Sequence, residues 1–234
     1  MLSIQPLLND FLHLFYPHVC TGCGTDILND NHELCIRCLS QLPKTHFFEN
    51  AVNPVEEKFY GRLPVRHAGA AFYFTKQSLI ENIIYDLKYK GNKGIGRYMG
   101  QMLGQLLSES KRFDDVDIII PLPLNFKRLK KRGYNQSQIL AEGITSVWNK
   151  PVNHKAVIRK INTETQTHSG RIARLENMQN VFAVADPAAI QNKHVLLIDD
   201  VVTTGASLEA CAAEVLKTPG VTISIAALAY TIQQ

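Results

Sequence analysis

No stretch of the 234-residue sequence reaches the roughly 18 uncharged apolar residues that a membrane-crossing helix needs. A transmembrane span is therefore not expected. The opening stretch, MLSIQPLLNDFLHLFYPHVC, is apolar but lacks a basic head and a small-residue cleavage site. Asn9 and Asp10 interrupt it, so it does not read as an export signal. Leu7, Leu8, Phe11, Leu12, Leu14 and Phe15 suit an amphipathic helix, packed on its own protein or lying on a membrane surface. Without an export signal the expected compartment is cytoplasmic, and thiols there stay reduced. There is no internal repeat and no low-complexity tract. Charge of one sign is in short supply: 25 Lys and Arg face 21 Asp and Glu, a net +4. That is far from a nucleic-acid-binding tail, although a basic groove remains open. Hydrophobic content of 45% with 20% charged residues is ordinary for a soluble globular chain.

Cysteine is also sparse, five in all, but four fall together in CTGCGTDILNDNHELCIRC. Cys20, Cys23, Cys35 and Cys38 are spaced as two C-x2-C pairs separated by eleven residues. Each short loop can aim both of its sulfurs at one point, and two such pairs complete a tetrahedral sulfur site. In a reducing compartment the first reading is Zn2+; an iron–sulfur cluster and a redox pair are the alternatives. Four thiolates would leave no open coordination position, so the ion would be structural. A segment this short cannot bury enough core to fold alone. His18 and His32 flank a set that is already complete. Cys211 stands alone in a later helical pattern and reads as a core residue.

Beyond Leu42-Pro43 the polar stretch 46–66 is punctuated by Pro54, Gly61 and Pro64 and reads as a linker with local turns. From Ala68 onward strand and helix patterns alternate. AGAAFYF, VDIIIPLPL, KHVLLID and VTISIAALAY read as strands, with AVIRKI and NVFAVA as further candidates. QSLIENIIYDLKYK, GRYMGQMLGQLLSES, NQSQILAEGITSVWN and ASLEACAAEVLKT read as helices. Such alternation predicts an α/β fold, an open, mostly parallel sheet wrapped by helices. The expected organisation is an amino-terminal helix and zinc ribbon over 1–45, a linker over 46–66, and an α/β domain over 67–234.

One strand ends unusually. HVLLIDDVVTTGAS places Asp199 and Asp200 after an apolar run, followed at once by a turn of small residues. In open parallel sheets, ligands bind beyond the carboxyl ends of the strands. The turn from Thr203 to Ser207 leads into a helix, whose free N–H groups and positive end form an anion cradle. Gly205 permits close backbone approach or positive φ, and Thr203, Thr204 and Ser207 offer hydroxyls. Two acceptors beside a phosphate cup describe a ribose 5-phosphate site, with the carboxylates on the 2- and 3-hydroxyls. A helix cap beside a solvated acid pair is the bland alternative. No Lys follows the glycine, which disfavours a Walker-type phosphate loop.

VLLIDDVVTTGAS resembles the phosphoribosyl pyrophosphate (PRPP) signature of type I phosphoribosyltransferases. With the four thiols, LKYKGN (87–92), PLPLNFKRLKKRGYNQSQILA (121–141) and TQTHSGRIARLEN (165–177) in this order, the chain is similar to the ComF family along nearly its whole length. In that family an amino-terminal zinc ribbon precedes a phosphoribosyltransferase-like domain. The resemblance implies that Asp199 and Asp200 contact the ribose diol, and that Thr203, Thr204, Gly205, Ala206 and Ser207 bind the 5-phosphate. It places Arg132, Gly133, Asn135 and Gln136 at the pyrophosphate loop, where Lys127, Arg128, Lys130 and Lys131 add charge. It puts Thr165, Gln166, Arg174 and Asn177 in a hood loop over the site, and gives weaker roles to Lys88 and Asn92. A solvated basic face and an ordinary surface helix are the alternatives for the last two blocks.

The implied chemistry is displacement at the ribose anomeric carbon with release of pyrophosphate, Mg2+ accompanying PRPP because hard phosphate oxygens suit a hard cation. Asp199 and Asp200 would favour the cationic ribose centre. In hypoxanthine-type relatives an acid handles the purine where this chain has the neutral Thr203, so that acceptor loses support. No other residue reads as a general base. Two functions follow: a phosphoribosyltransferase with an unidentified acceptor, or a non-catalytic PRPP- or nucleotide-binding accessory protein in DNA uptake (competence) or DNA handling. Candidate partners are PRPP or a ribose-phosphate ligand, DNA, and a protein docked on the zinc ribbon. Arg37 and Lys44 face Asp26, Asp30 and Glu33 there, which favours protein over DNA.

Overall fold

Residues 18–28, 32–160 and 181–232 are described in the computed structural model. The chain divides into two compact units, 1–42 and 43–234. In the first, turns carry the first thiol pair, with the Gly24 N–H donating to the Cys20 carbonyl at 2.8 Å. The second pair opens a one-turn helix, α1 (Ile36–Ser40), whose N-cap is Cys35. The expected amino-terminal helix over the first residues lies outside the described residues.

In the second unit, helices and strands form where the sequence supplies both period and punctuation. Strand β1 (Val65–Phe74) starts three residues before the expected Ala68. Helix α3 (Leu79–Tyr89), which follows the short α2 (Pro54–Glu57), buries Ile80, Ile83, Ile84 and Leu87 on one face, as a 3.6-residue period requires. Its start is a reciprocal cap: Ser78 Oγ accepts the Glu81 N–H at 3.2 Å, and Glu81 Oε2 accepts the Gln77 N–H at 2.6 Å. Helix α4 (Lys93–Glu109) is capped by Asn92, whose Oδ1 accepts the Ile95 N–H at 3.0 Å. Strand β2 (Ile118–Pro121) leads to α5 (Phe126–Arg132) and α6 (Gln136–Val147). Short strands β3 (Val157–Arg159) and β4 (Phe182–Val184) pair antiparallel. Strand β5 (His194–Val202), helix α7 (Ala206–Val215) and strand β6 (Thr222–Thr231) complete the unit.

The main sheet runs β1-β6-β5-β2, and every pair in it is parallel. The fold is therefore α/β with an open, mostly parallel sheet. β5 and β6 are central and covered on both faces, which explains their near-continuous apolar runs. All four strands end at one edge, so the segments after β2 and β5 emerge side by side.

The stretch 46–66 differs from a linker. Phe47, Phe48, Val55 and Phe59 are buried, and three of them join the core that contains Ile120, Leu197 and Ile225. Asn53 explains why a polar-looking segment folds in. Its Oδ1 accepts the Val55 and Glu56 N–H groups and caps α2, while its Nδ2 donates to the Ala68 carbonyl on β1 at 2.9 Å. Glu56 pairs with Arg112 in a mostly buried ion pair and accepts the Ala68 N–H at 3.1 Å. The punctuating prolines and glycine mark turns within the unit, and the partnered polar groups let it bury its aromatics.

Helices α4 and α6 meet through glycines. A Cβ on Gly143 would overlap the Arg97 carbonyl oxygen and come within 2.8 Å of Gly100 Cα. Neither neighbour can swing away, because both are helix backbone. Gly143→Ala is therefore expected to force the helices apart and cost about 3 kcal/mol or more, the upper end of overpacking effects. Urea unfolding would read this directly; a loss below about 1 kcal/mol would show that α6 is free to shift. The same displacement would carry the first turn of α6 away from the strand edge.

Candidate functional site

A cavity of about 240 Å³ opens at the carboxyl edge of the sheet. Its floor is the end of β5, and its walls are the segments that follow β2 and β5. Asp199 and Asp200 lie inside the last part of β5, which continues to Val202, three residues past the expected end. Adjacent strand residues point to opposite faces, yet here, at the strand's end, both line the cavity. Asp200 is buried and bonded through Oδ1 to Lys88 Nζ at 3.0 Å. Asp199 Oδ1 accepts the Asp200 N–H at 2.8 Å and the Ser137 hydroxyl at 3.1 Å.

These surroundings set Asp199 apart. Burial, then the neighbouring Asp200 charge, push its carboxyl up to about 7, against the opposing pull of the Asp200 N–H, Lys88 and Ser137. The folded chain therefore holds this proton more tightly than the unfolded chain does. The stability so gained is complete below the unfolded value near 3.8 and is lost as pH rises towards 7. Asp199→Asn is expected to stabilise the free protein by about 2–4 kcal/mol at pH 8, at 1.36 kcal/mol per pKa unit, and to change little at pH 4. Urea unfolding at the two pH values checks the sign; an equal gain at both would mean that Asp199 is not held protonated.

The side opposite the basic wall is built from the turn Thr203–Gly205 and the start of α7. Gly205 is the N-cap at φ 79°, a left-handed conformation that glycine adopts without strain. As a glycine it has no side chain to cap α7; the first N–H of the helix, that of Ala206, donates to Thr204 Oγ1 at 3.4 Å, and Thr203, Thr204 and Ser207 line the cavity exposed. Such a helix start favours an anion.

The basic side is a helix where the sequence reading had a loop. Residues Phe126–Arg132 form α5, which buries none of its side chains. Arg128 and Arg132 line the cavity, and Arg132 Nη1 donates to Gln136 Oε1 at 2.6 Å. Gln136 lines it too, from the first turn of α6. Gly133 and Asn135 do not line it. Gly133 ends α5, its N–H donating to the Leu129 carbonyl at 2.8 Å. Asn135 caps α6, with its Oδ1 accepting the Ser137 N–H at 3.1 Å and its Nδ2 donating to the Leu122 carbonyl at 2.9 Å. Both place the basic wall rather than form it. Thr165, Gln166, Arg174 and Asn177, the expected hood, lie outside the described residues.

Three cavity residues escaped sequence reading in whole or part. Arg159 closes the short strand β3 and reaches the cavity; burial, then Arg128, lower its proton affinity. One charge at the end of a brief apolar run gave no signal. Ser137 follows Gln136 in the block quoted above, but only folding brings it to Asp199. Lys88 sits on α3, far from β5 in sequence, and its pairing with Asp200 is purely tertiary. Together Lys88, Arg128, Arg132 and Arg159 set four cations against two carboxylates, which suits a polyanion that also carries hydroxyls.

In the smaller unit the four Sγ atoms of Cys20, Cys23, Cys35 and Cys38 all lie within 4.8 Å of one another. Cys23 and Cys35 sulfurs are 3.6 Å apart, the spacing of neighbouring ligands in a tetrahedral thiolate site. The Cys35 N–H donates to Cys20 Sγ at 3.2 Å. Burial raises the Cys20 thiol, but backbone N–H groups of Cys35, Cys23 and Gly22 outweigh it and bring it down to about 6. Burial and the other three thiols push Cys38 up. A divalent cation resolves the conflict of gathering four thiolates, and the set could hold a structural zinc ion.

No protein-family model matches the chain. Among curated proteins it is 26% identical over 217 residues to DNA utilization protein YhgH of Escherichia coli O157:H7, covering 92% of this chain and 85% of that one. It is 26% identical over 202 residues to Competence protein F of Haemophilus influenzae, covering 84% and 83%. It is 32% identical over 91 residues to Competence protein ComFC of Bacillus subtilis, covering 39% and 35%. Among solved structures, glutamine PRPP amidotransferase from B. subtilis superimposes with a TM-score of 0.42 at 14% identity, over 60% of this chain. This chain spans 30% of that enzyme's length. Hypoxanthine phosphoribosyl transferase of Trypanosoma cruzi gives a TM-score of 0.37 at 13% identity, over 62% of this chain and 76% of that one. The described helices include none long and apolar enough to cross a membrane.

Proposed function

We propose that this ComF-like chain binds PRPP in the cavity at the end of β5, and transfers its phosphoribosyl group to an acceptor with release of pyrophosphate. One observation carries the reading: paired carboxylates, the start of α7 after Gly205 and an arginine wall line a single cavity. Asp199 and Asp200 accept hydrogen bonds from the ribose 2- and 3-hydroxyls. Thr203 to Ser207 hold the 5-phosphate. Arg128, Arg132 and Arg159 face the pyrophosphate, with Gln136 fixing Arg132. In the transfer, the bond from the anomeric carbon to pyrophosphate breaks, and a bond to the acceptor forms. The carboxylates stabilise the cationic character at the ribose, and the arginines stabilise the leaving charge. Mg2+, held by oxygens of PRPP itself, would supply further neutralisation of that charge when bound.

A second reading is favoured by the curated relatives, which are named for competence and DNA utilization. In it the chain binds PRPP or a nucleotide without turnover, as an accessory protein in DNA uptake or DNA handling. The four-thiol unit then serves as a docking module for a protein, and the chain works in the cytoplasm. Calorimetric titration with PRPP and Mg2+, followed by a screen for pyrophosphate release over bases and small acceptors, separates the two. Binding with release supports the transferase, and binding with no release from any acceptor supports the accessory protein.

A further inference from the structure

The cations that line the cavity, Lys88, Arg128, Arg132 and Arg159, come from α3, α5 and β3. The stretch 201–208, which forms the turn and the start of α7, carries no charged residue. A phosphate monoester there, close to doubly charged at neutral pH, would meet hydroxyls and the positive end of a helix but no cation. The stretch 46–66 packs against that turn. The buried Phe59 ring lies 3.4 Å from where a Cβ on Gly205 would stand. The half-buried Lys58 lays its stem along the same turn, with Cδ 3.8 Å from that point. Its ammonium sits over the Tyr230 ring, 5.3 Å from the centroid. Tyr230 pairs in the sheet with Val202, the residue before the turn. Further along, Arg62 Nη1 donates to Glu209 Oε2 at 3.1 Å and so neutralises the acid in the first turn of α7.

Lys58 forms no ion pair among the described residues. A ring face holds a solvated ammonium weakly, whereas a phosphate offers it charge-assisted hydrogen bonds. With Cδ beside Gly205, two bonds remain before Nζ, and the flexible stem lets the ammonium turn from the ring to a phosphate over the turn. Arg62 has the complementary task, since an unpaired Glu209 would compete with that phosphate for the positive helix end. We infer that Lys58 is a ligand of the 5-phosphate, supplied by the 46–66 stretch to the side of the cavity that the arginines do not serve. This rests on the phosphoribosyl reading and adds a selectivity to it: that side is built for a dianionic phosphate monoester and discriminates against a sugar with a free 5-hydroxyl.

Calorimetric titration of the full chain with ribose 5-phosphate, with PRPP and with pyrophosphate, Mg2+ being present throughout, tests it. Lys58→Met keeps the length and the apolar stem of the side chain and removes its charge. It should weaken ribose 5-phosphate and PRPP alike by roughly tenfold or more, the loss expected of one charge-assisted hydrogen bond, and leave pyrophosphate unchanged. Lys58→Arg, which keeps the cation, should restore most of the affinity. The inference is overturned if Lys58→Met binds ribose 5-phosphate as the wild type does. It is equally overturned if pyrophosphate weakens by the same factor, because Lys58 would then act only through the general field of the cavity, or if Lys58→Arg binds as poorly as Lys58→Met. A wild-type chain that binds neither sugar phosphate would bring down the cavity reading and this inference with it. Sugar-phosphate binding lost on changing Asp199 and Asp200 to Asn but kept in Lys58→Met would remove Lys58 alone.

Discussion

Changing Asp199 and Asp200 together to Asn is expected to raise the Kd for PRPP by about a hundredfold or more at pH 8, above the value of about 7 to which Asp199 is pushed, with Mg2+ present and near physiological salt. Asn keeps the shape and removes the charge. Each carboxylate would lose a charge-assisted hydrogen bond to a ribose hydroxyl, worth about 1.5–3 kcal/mol. One opposing effect must be weighed, because the change also removes two negative charges from the neighbourhood of a polyanion. At physiological salt, charges more than about 8 Å apart are largely screened, whereas the hydroxyl contacts are direct. The lost acceptors should therefore dominate. Salt dependence separates the two effects: if relieved repulsion governed, the variant would bind better at low salt. Calorimetric titration showing unchanged affinity would remove Asp199 and Asp200 from the site. The fold is not expected to fail in this variant, since losing the charge at Asp199 favours the folded state above neutral pH.

That outcome would test a part of the protein that was legible early. The run His194 to Ser207 carries its own evidence, because strand, acids, turn and helix start are contiguous. Local order in the sequence becomes local order in space, and the acids, the turn and the helix start line one cavity. The parallel sheet was legible for the same reason, from apolar runs alternating with amphipathic ones. The basic wall was legible in composition but not in geometry. Five cations in KRLKKR cannot be ranked by type; the turn of α5 decides that Arg128 and Arg132 face inward. Gly133 and Asn135 show the complementary difficulty. A residue type suited to binding anions is also suited to ending or capping a helix, and here the folded chain uses both as punctuation.

What the sequence concealed is tertiary. Arg159, Ser137 and Lys88 come from three elements distant from β5, and nothing local ties them to Asp199 or Asp200. The stretch 46–66 shows the same limit in packing. Prolines, a glycine and polar residues look like a connector, but Asn53 and Glu56 are buried and partnered. A buried polar group with good partners costs little, and the partners lie on β1 and beside Phe113, out of sight of any local pattern. The glycines of α4 and α6 are a middle case. Their spacing is visible, but only the crossing shows that Gly143 meets the backbone of Arg97 and Gly100.

Removing metal should act on the smaller unit with the largest single effect in the molecule. Among its described residues, Leu34 and three of the thiols make up most of what is fully buried before Leu42. An apolar core of that size offers a few kcal/mol at most, from about 25 cal/mol per Å², against a larger entropic cost of ordering the loops. Structural zinc in short thiol-ligated segments contributes about 10–16 kcal/mol. Metal analysis should therefore find one zinc per chain, and a strong chelator should release it and make residues 18–42 sensitive to protease. Cys20→Ser should do the same without chelator, since that thiol is buried and receives the Cys35 N–H. The unit over 43–234 has its own core around Leu197 and Ile225, so its urea transition and its PRPP affinity should persist after chelation. Iron with a visible absorption band in place of zinc would overturn the metal assignment. Protease resistance of the metal-free segment would show instead that its few apolar contacts suffice.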